Sequence, residues 1–533
     1  MSPFWEWLHG ASGRQRHVAT LAGIVVLALL GWSVVSMQSG GEVPATGLSS
    51  LPASDGLLTT PTDRAQPGSS SPTGTATAGS SSSAGPLATD ADRSAAPRSA
   101  GGPSAPGRSV SAVLPGARSC GVLTASDQGV TPTTVTVGIS HLEIPDQAYA
   151  QYGFRSDTRE VVKALVDDIN KRGGVACRRL VAEIYDVNAF VVEDQRAACE
   201  EAAGKVFAFL DLGTLTTLPT QQCFTVTHKV PLLNATGWPA SYVTAQAPYF
   251  LSHSADATRA VRNWVYGAKQ AGFFDRSSGF RKLGLLTCKN DGGLAAEIKR
   301  ILKAVGVSEW KERELGCQAN LIAPPNEVTQ AALDHKRAGV THVFPVTFGD
   351  NVEVYLKAAE AQDFRPRYSA SDAFALTISG FTEDFDPKQW GGTVGYTHSR
   401  SGQLRNGLPA PETVRCDGVL RAHGVRGITS EWDDFATVYC DLLHLLTAGL
   451  DRSPVNLTRL SFSQAVQTAG RLSFSGGSDG IFDRLGKYTG ADFVRTIQWR
   501  SNDIEACDKG DRDRAQASTG CWFVLDPTFR PSR

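Results

Sequence analysis

A row of hydroxyl side chains follows a short apolar stretch in residues 207–223, which read FAFLDLGTLTTLPTQQC. The apolar residues end at Asp211, and Gly213 opens a turn that leads into a predicted helix. Three threonines follow in this turn: Thr214, Thr216 and Thr217. A helix start offers unpaired N–H groups and partial positive charge, and a glycine lets a ligand approach the backbone. With the threonine hydroxyls as further donors, the segment suits a carboxylate or another small anion.

The same turn also fits a purely structural role, in which a threonine caps the helix and no ligand is present. Catalysis is not indicated, because we find no nucleophile elbow, no phosphate-binding GxxxxGK[ST] loop, no HExxH and no strand-linked GxGxxG. The segment GGSDG at 476–480 is interpreted as a surface turn. The ten cysteines form no CxxC pair and no zinc-finger spacing with histidine. The sequence therefore predicts a protein that is not an enzyme, with no metal and no cofactor, and a hydrolase is a distant alternative.

Residues 18–37 form an uncharged apolar segment, which is long enough to span a bilayer as a helix. Arg14, Arg16 and His17 precede it and favour a short cytoplasmic N-terminus at residues 1–17. The segment is either a retained transmembrane anchor or a signal segment that is removed. No clear small-x-small cleavage site follows, which favours the anchor.

Residues 38–119 are dominated by Ser, Gly, Ala, Pro and Thr and contain no Phe, Tyr or Trp. Such a composition cannot bury enough apolar surface to fold, so we predict a disordered linker. As a flexible coil it would span about 50 Å. The chain has 533 residues and a formal net charge of −1, which is too neutral for a nucleic-acid binder. We therefore expect a single-pass protein of the cell membrane whose C-terminal domain is extracellular, or a secreted protein if the N-terminal segment is cleaved.

All ten cysteines lie between residues 120 and 521, in the region expected outside the cell, which favours disulfides. Sequence alone does not fix the connectivity. Local context suggests four pairs and leaves a fifth: Cys199–Cys223, Cys288–Cys317, Cys416–Cys440, Cys507–Cys521 and, as the remainder, Cys120–Cys177.

Strand and helix patterns alternate through this region, which indicates an α/β protein with parallel strands and right-handed crossovers. The series restarts after APYFLSHS, so we expect two lobes, each a parallel sheet flanked by helices. The expected organisation is a first part of lobe 1 at 120–251, lobe 2 at 252–379, a second part of lobe 1 at 380–470, and a lobe 2 tail with a disulfide hairpin at 471–533.

The order of these segments resembles the type I periplasmic binding fold, in particular the leucine/isoleucine/valine-type solute-binding proteins of ABC importers. The resemblance covers about residues 132–503 and rests on five stretches: TVTVGIS with QYG, DDINKRGGVACRRLVAEIYD, FLDLGTLTTLPT with KVPLLNATG, PYFLSHSADATRAV, and AEAQDFRPRYSASDAF. It implies a two-lobed type I periplasmic-binding-protein-like fold that closes over a small ligand.

In the resembled family two loops of the first lobe hold the ligand's carboxylate. Carried over residue by residue, they correspond to Thr214, Leu215, Thr216, Thr217, Asn234, Ala235 and Thr236. The resemblance also implies that Asp372, at a strand end of the second lobe, lies near the ligand's amine. Further lining candidates are His141, Tyr152 and Trp238 in lobe 1 and Asn290, Asp291 and Phe348 in lobe 2. The second-lobe loop CKNDGGLAAE lacks the aromatic residue that the family commonly has there, and this departure weakens an amino-acid specificity.

The resemblance implies a membrane-anchored extracellular solute-binding protein of an ABC importer. Its partners would be a small polar ligand, amino-acid-like or carrying a carboxylate, and an ABC permease, with no nucleic acid. Two alternatives use the same fold: a receptor-like sensor that signals through a partner, and a cell-envelope structural protein whose cleft has lost its ligand.

Overall fold

The computed structural model of the chain describes residues 120–144, 155–317, 322–382, 384–430, 433–501, 507 and 519–533. The predicted span at 18–37, the predicted linker at 38–119 and Tyr152 lie outside these residues. Within the described ranges, no helix combines the length and the apolar character needed to cross a membrane.

The first sheet consists of five parallel strands in the order β2-β1-β3-β4-β5. The strands are β1 Thr134–Leu142, β2 Arg179–Val187, β3 Ala208–Asp211, β4 Leu232–Asn234 and β5 Phe250–Ser252. Helices connect them, as parallel pairing requires: α1 Thr158–Lys171, α2 Val192–Ala203, α3 Leu218–Gln222, which a π-helical turn extends over Cys223–Thr227, and α4 Ala240–Ala245. We call this sheet and the helices packed on it lobe 1.

The core of lobe 1 brings together residues that are far apart in the sequence. Helix α1 buries an apolar stripe that includes Val162, Leu165 and Ile169. The glycines at 173 and 174, both with positive φ, end this helix in a turn that few other residues adopt. Three later helices complete the core: α11 Pro411–Ala422, α12 Asp434–Leu450 and α13 Arg459–Gln467.

The second sheet has the order β14-β13-β10-β9-β8-β6-β7, with β15 paired to β13. Its strands are β6 Leu283–Cys288, β7 Trp310–Leu315, β8 His342–Val346, β9 Arg367–Ser371, β10 Val394–Thr397, β13 Phe493–Ser501, β14 Gly520–Val524 and β15 Arg530–Pro531. Its helices are α5 Ala257–Gln270, α6 Leu294–Ala304, α7 Pro325–Arg337, α8 Gly349–Ala361, α9 Ser379–Thr382 and α10 Pro387–Trp390. We call this part lobe 2.

Two segments differ from the expected organisation. Strand β10 belongs to the sheet of lobe 2, because it pairs in parallel with β9 and antiparallel with β13, so the return to lobe 1 comes after Thr397 and not at residue 380. The small antiparallel pair β11 Gly470–Leu472 and β12 Gly480–Phe482 packs into the core of lobe 1, whereas the sequence assigned 471–533 to lobe 2. The chain therefore passes between the lobes after β5, after β10 and before β13.

The ten cysteines form five disulfides, which join the same pairs that the sequence suggested: Cys120–Cys177, Cys199–Cys223, Cys288–Cys317, Cys416–Cys440 and Cys507–Cys521. Each pair links residues within one lobe. Cys199–Cys223 fastens α2 to the turn after α3, and so fixes the helix that follows the threonine segment.

Candidate functional site

A cleft of about 450 Å³ lies where the carboxyl ends of the strands of both sheets meet. Lobe 1 contributes the segments after β3 and β4, and lobe 2 contributes those after β6, β8 and β9. In open parallel sheets this edge is where ligands bind. The size of the cleft falls within the range of small-molecule sites, which is about 300–1,000 Å³.

Asp211, the last residue of β3, organises the threonine segment from inside the protein. Its carboxylate is fully buried and accepts hydrogen bonds from the N–H (2.9 Å) and the hydroxyl (2.7 Å) of Thr214 and from the N–H of Leu215 (3.3 Å). It also accepts from the Ser140 hydroxyl (3.2 Å) and from the Asn234 side-chain amide (2.7 Å). Burial raises the pKa of Asp211, although these hydrogen bonds oppose the rise. The donors that were predicted to hold a ligand anion therefore already have an internal acceptor.

The other two threonines of the segment are engaged in a similar way. The N–H of Thr216 donates to Oε1 of buried Gln195 (3.0 Å), and its hydroxyl donates to the carbonyl of Ala189 (3.2 Å). The hydroxyl of Thr217 accepts from the N–H of Thr220 at the start of α3. Thr217 is thus the helix cap of the structural alternative.

The second predicted loop also satisfies itself. Oδ1 of Asn234 accepts from the N–H (2.8 Å) and the hydroxyl (2.7 Å) of Thr236. Because Asn234 itself donates to Asp211, the two loops form one buried polar network. This network shapes the wall of the cleft. The N–H groups of Thr214, Leu215, Thr216 and Thr236 already have acceptors within the protein.

The predicted residues divide into those that line the cleft and those that do not. The lining residues are Thr214, Thr216, Ala235, Thr236, Trp238, Asn290, Asp291, Phe348 and Asp372. Leu215 and Asn234 are buried behind the wall, and Thr217 caps α3. His141 is not among the residues that line the cleft: β1 and β2 pair so that Asp186 lies opposite it, and its Nδ1 lies 2.9 Å from Asp186 Oδ1.

Asp372 lines the cleft, but its carboxylate is already paired. It accepts from the backbone N–H of His398 (2.5 Å) and lies 3.1 Å from Nδ1 of the same histidine. Burial raises the pKa of Asp372, but the charge and hydrogen bonds of His398 outweigh it and hold this pKa below its usual value. An amine of a ligand would have to compete with His398 for this carboxylate.

The second-lobe loop KNDGG contacts lobe 1. Asp291 accepts from the N–H of Gly293, the residue before α6, and from the N–H of Ala295 in its first turn. Gly292 has φ of +65°, and a Cβ placed on it would lie 2.5 Å from Cγ of Pro239 and 3.2 Å from Cζ of Tyr242. The glycine therefore allows the lobes to approach each other where the resembled family carries an aromatic residue.

We expect Gly292→Ala to push the lobes apart at this edge and to destabilise the protein by about 1–3 kcal/mol, because overpacking forces the backbone to shift. Gly293→Ala is the matched control, since Gly293 also has a positive φ (+91°) but nothing lies within 4 Å of its Cβ position. Small-angle scattering and urea unfolding of both variants test this. A larger radius of gyration for Gly293→Ala than for Gly292→Ala would contradict the expected contact.

The sequence reasoning missed most of the aromatic lining. Besides Trp238 and Phe348, the cleft is lined by Phe190, Tyr242, Phe374, Phe381 and Phe435. These rings come from segments far apart in the chain, and each is one aromatic residue within an ordinary helix or turn. Only Phe374, which ends the stretch PRYSASDAF and follows the end of β9 by three residues, gave a usable signal.

The segment GGSDG at 476–480 has the letters GxSxG, so the prediction that the sequence lacks a nucleophile elbow is wrong as to the letters. The environment of its serine shows its role. Ser478 is buried, and its hydroxyl donates to the carbonyl of Phe493 at 2.7 Å. Its N–H donates to the carbonyl of His398. The serine therefore links His398, which follows β10, to Phe493, which begins β13. The segment is not the exposed surface turn that the sequence suggested.

No protein-family model matches the sequence, and no curated protein matches it. Solved structures do match in fold. A fatty acid ABC transporter substrate-binding protein from Thermomonospora curvata has a TM-score of 0.53 and 14% identity, over 77% of this chain and 95% of that one. A solute-binding protein of an ABC transporter from R. palustris, in complex with 4-hydroxybenzoate, has a TM-score of 0.52 and 14% identity, over 75% and 97%. The leucine-binding protein LivK from Thermotoga maritima has a TM-score of 0.51 and 11% identity, over 69% and 95%.

These similarities define the fold: the chain has the type I periplasmic binding fold, as the sequence resemblance predicted. Two of these structures are substrate-binding or solute-binding proteins of ABC transporters, and the third is a leucine-binding protein. Between 95% and 97% of each of these three chains aligns with this chain, so the shared fold covers nearly their whole length.

Proposed function

We propose that this protein is the solute-binding component of an ABC-type importer and holds a small organic ligand between its two lobes. The observation that carries the proposal is the cleft of about 450 Å³, lined by both lobes at the carboxyl edge of their sheets. Closure of the lobes around a ligand would create the form that a permease distinguishes from the empty one.

The N-terminal part of the proposal rests on the sequence. Residues 18–37 would anchor the protein in the membrane, and residues 38–119 would let the binding domain reach a permease nearby. The mass of the mature protein tests the anchor. A mass that lacks the first 37 residues would mean a secreted protein.

A thermal-shift screen of the full chain tests ligand binding. A ligand at about 100 times its Kd stabilises the folded state by about 2.7 kcal/mol, which raises Tm by roughly 5 °C. The screen would include amino acids, organic acids, alcohols, amides and nucleosides. If no compound of any class raised Tm, the proposal would fail.

Two variants test whether the ligand binds in the cleft. Thr236→Trp puts a large ring into the cleft from an exposed lining position, and we expect it to abolish the thermal shift. Thr329→Trp makes the same change on the exposed surface of α7, outside the cleft, and we expect it to retain the shift. A ligand that stabilised both variants equally would bind elsewhere.

A further inference from the structure

Aromatic side chains line both sides of the cleft. On lobe 1, Trp238 and Tyr242 stack with ring centroids 6.0 Å apart. On lobe 2, Phe348 and Phe381 meet edge to face at 5.0 Å. Aromatic walls of this kind favour a ligand with a flat or branched apolar body.

The cleft offers little positive charge to an anionic ligand. Among the described lining residues there is no lysine, and Arg400 is the one arginine. Its Nε donates to the carbonyls of Phe474 and Gly477, and its Nη2 lies 3.3 Å from the carboxylate of Asp479. The guanidinium is therefore directed to the segment before β13. There Asp479, which Arg471 also contacts at 2.7 Å, faces it, and Asp441 also acts on its charge.

The two lining histidines do not change this balance. His398 is paired with Asp372. Burial lowers the pKa of His253, although Asp441, whose carboxylate lies 4.0 Å from Nε2, opposes the shift. His253 is therefore neutral at neutral pH. Three aspartates line the same cleft, at positions 291, 350 and 372, so its fixed charge is not positive.

Most neutral donors of the threonine and glycine loops that could replace a cation are also engaged, whereas the buried indole N–H of Trp238 has no partner among the described residues. The N–H and hydroxyl groups of Thr214 and Thr236 bond to Asp211 and Asn234, and those of Ser475 bond to Asp441. The N–H groups of residues 476 and 477 bond to the same Asp441 carboxylate. A carboxylate that entered this cleft would lose its hydration and would gain no cation and few neutral donors, which is costly.

On the basis of the proposed function, we infer that the ligand is an uncharged molecule with an aromatic or branched aliphatic body, held between the Trp238–Tyr242 and Phe348–Phe381 pairs. This differs from the carboxylate or zwitterion that the sequence implied. The hydroxyl of Tyr242, for which the described structure shows no hydrogen bond, is an uncharged group that can contact a hydroxyl or carbonyl of the ligand.

Matched pairs of probes that differ in charge test the inference. Calorimetry with the full chain would compare 4-hydroxybenzoate with 4-hydroxybenzyl alcohol, octanoate with 1-octanol, and L-leucine with 3-methyl-1-butanol. We expect the neutral member to bind at least tenfold more tightly in the pair with the highest affinity. Equal or tighter binding of the charged member in that pair would overturn the inference but support the proposed function. Absence of binding by every probe would contradict the inference, and the thermal-shift screen would then decide the proposed function.

Two variants test the role of the rings. Phe348→Leu removes a partly buried ring of the cleft, and we expect it to weaken the best neutral aromatic probe about fivefold to tenfold. Phe280→Leu is the control, because Phe280 is a partly buried phenylalanine of lobe 2 that does not line the cleft. We expect Phe348→Tyr, which keeps an aromatic ring, to bind the same probe as tightly as the natural chain does. Equal affinity of Phe348→Leu and the natural chain, with unchanged unfolding, would exclude this ring from the site.

Discussion

We expect Asp211→Ala to lower the free energy of unfolding by about 3 kcal/mol. The carboxylate of Asp211 is the shared acceptor for the turn after β3 and for the side chain of Asn234 on β4. Without it, the N–H groups of Thr214 and Leu215 and the amide of Asn234 are left buried without a partner. Each such group costs about 1–3 kcal/mol, and the hydroxyls recover part of the loss by rotating.

Urea unfolding measures this change, and Asp291→Ala is its control. Asp291 also accepts from two backbone N–H groups of a loop, but it is only half-buried, so water replaces the lost carboxylate. We expect this control to lose less than about 1 kcal/mol. If both variants lost the same free energy, the burial of the Asp211 network would not be the cause.

A second readout separates the role of Asp211 in the fold from its role in the site. Asp211 does not line the cleft. Asp211→Ala is therefore expected to weaken ligand binding only through a change in the shape of the wall around Gly213 and Thr214. A variant that bound ligand as well as the natural chain while losing about 3 kcal/mol would show that the network stabilises the lobe and does not tune the site.

The position of this wall could be predicted from the sequence, because the signals are local. An apolar run that ends in Asp211 and Gly213 is typical of a strand followed by a turn, and the threonines that follow are typical of a helix start. The chemistry of the wall could not be predicted in the same way. The acceptors for donors of this wall come from other strands and helices: Ser140 of β1 accepts from the N–H of Leu212, and Gln195 of α2 accepts from the N–H of Thr216. Whether an N–H is free for a ligand depends on such distant acceptors.

The same limit explains the misplaced lobe boundaries. Helix α1 shows its buried stripe in the sequence, whereas β10 is a strand of four residues whose lobe is decided by its pairing with β9 and β13. A short apolar segment does not specify its neighbours. The loop at Gly292 shows the same limit at a single residue. The sequence shows that the loop lacks an aromatic residue, but it does not show that Gly292 permits the close approach of Pro239.

We expect lowering the pH from 7 to 5 to destabilise the protein by about 2 kcal/mol through His335 alone. Burial lowers the pKa of His335 from its ordinary value of 6.5 to about 4. The charge of Arg313 adds to this shift, and that of Asp334 opposes it. Above pH 6.5 the ring is neutral in both the folded and the unfolded chain, so it contributes no pH dependence there. As the pH falls from 6.5 towards 4, the unfolded chain binds a proton that the folded chain does not, and stability is lost.

The variant His335→Gln tests this assignment against the other acid-sensitive groups. The free energy of unfolding is measured in urea at pH 7 and at pH 5. The loss between the two pH values should be about 2 kcal/mol smaller for His335→Gln than for the natural chain. Tyr355→Phe is the control, because it removes the hydroxyl that contacts His335 Nδ1 at 2.7 Å but keeps the ring that titrates. This control is expected to lose stability at both pH values and to retain the full pH dependence. If His335→Gln retained the full pH dependence as well, another group would have to cause the acid sensitivity of lobe 2. His342 would be the next residue to replace, because burial also lowers its pKa to about 4.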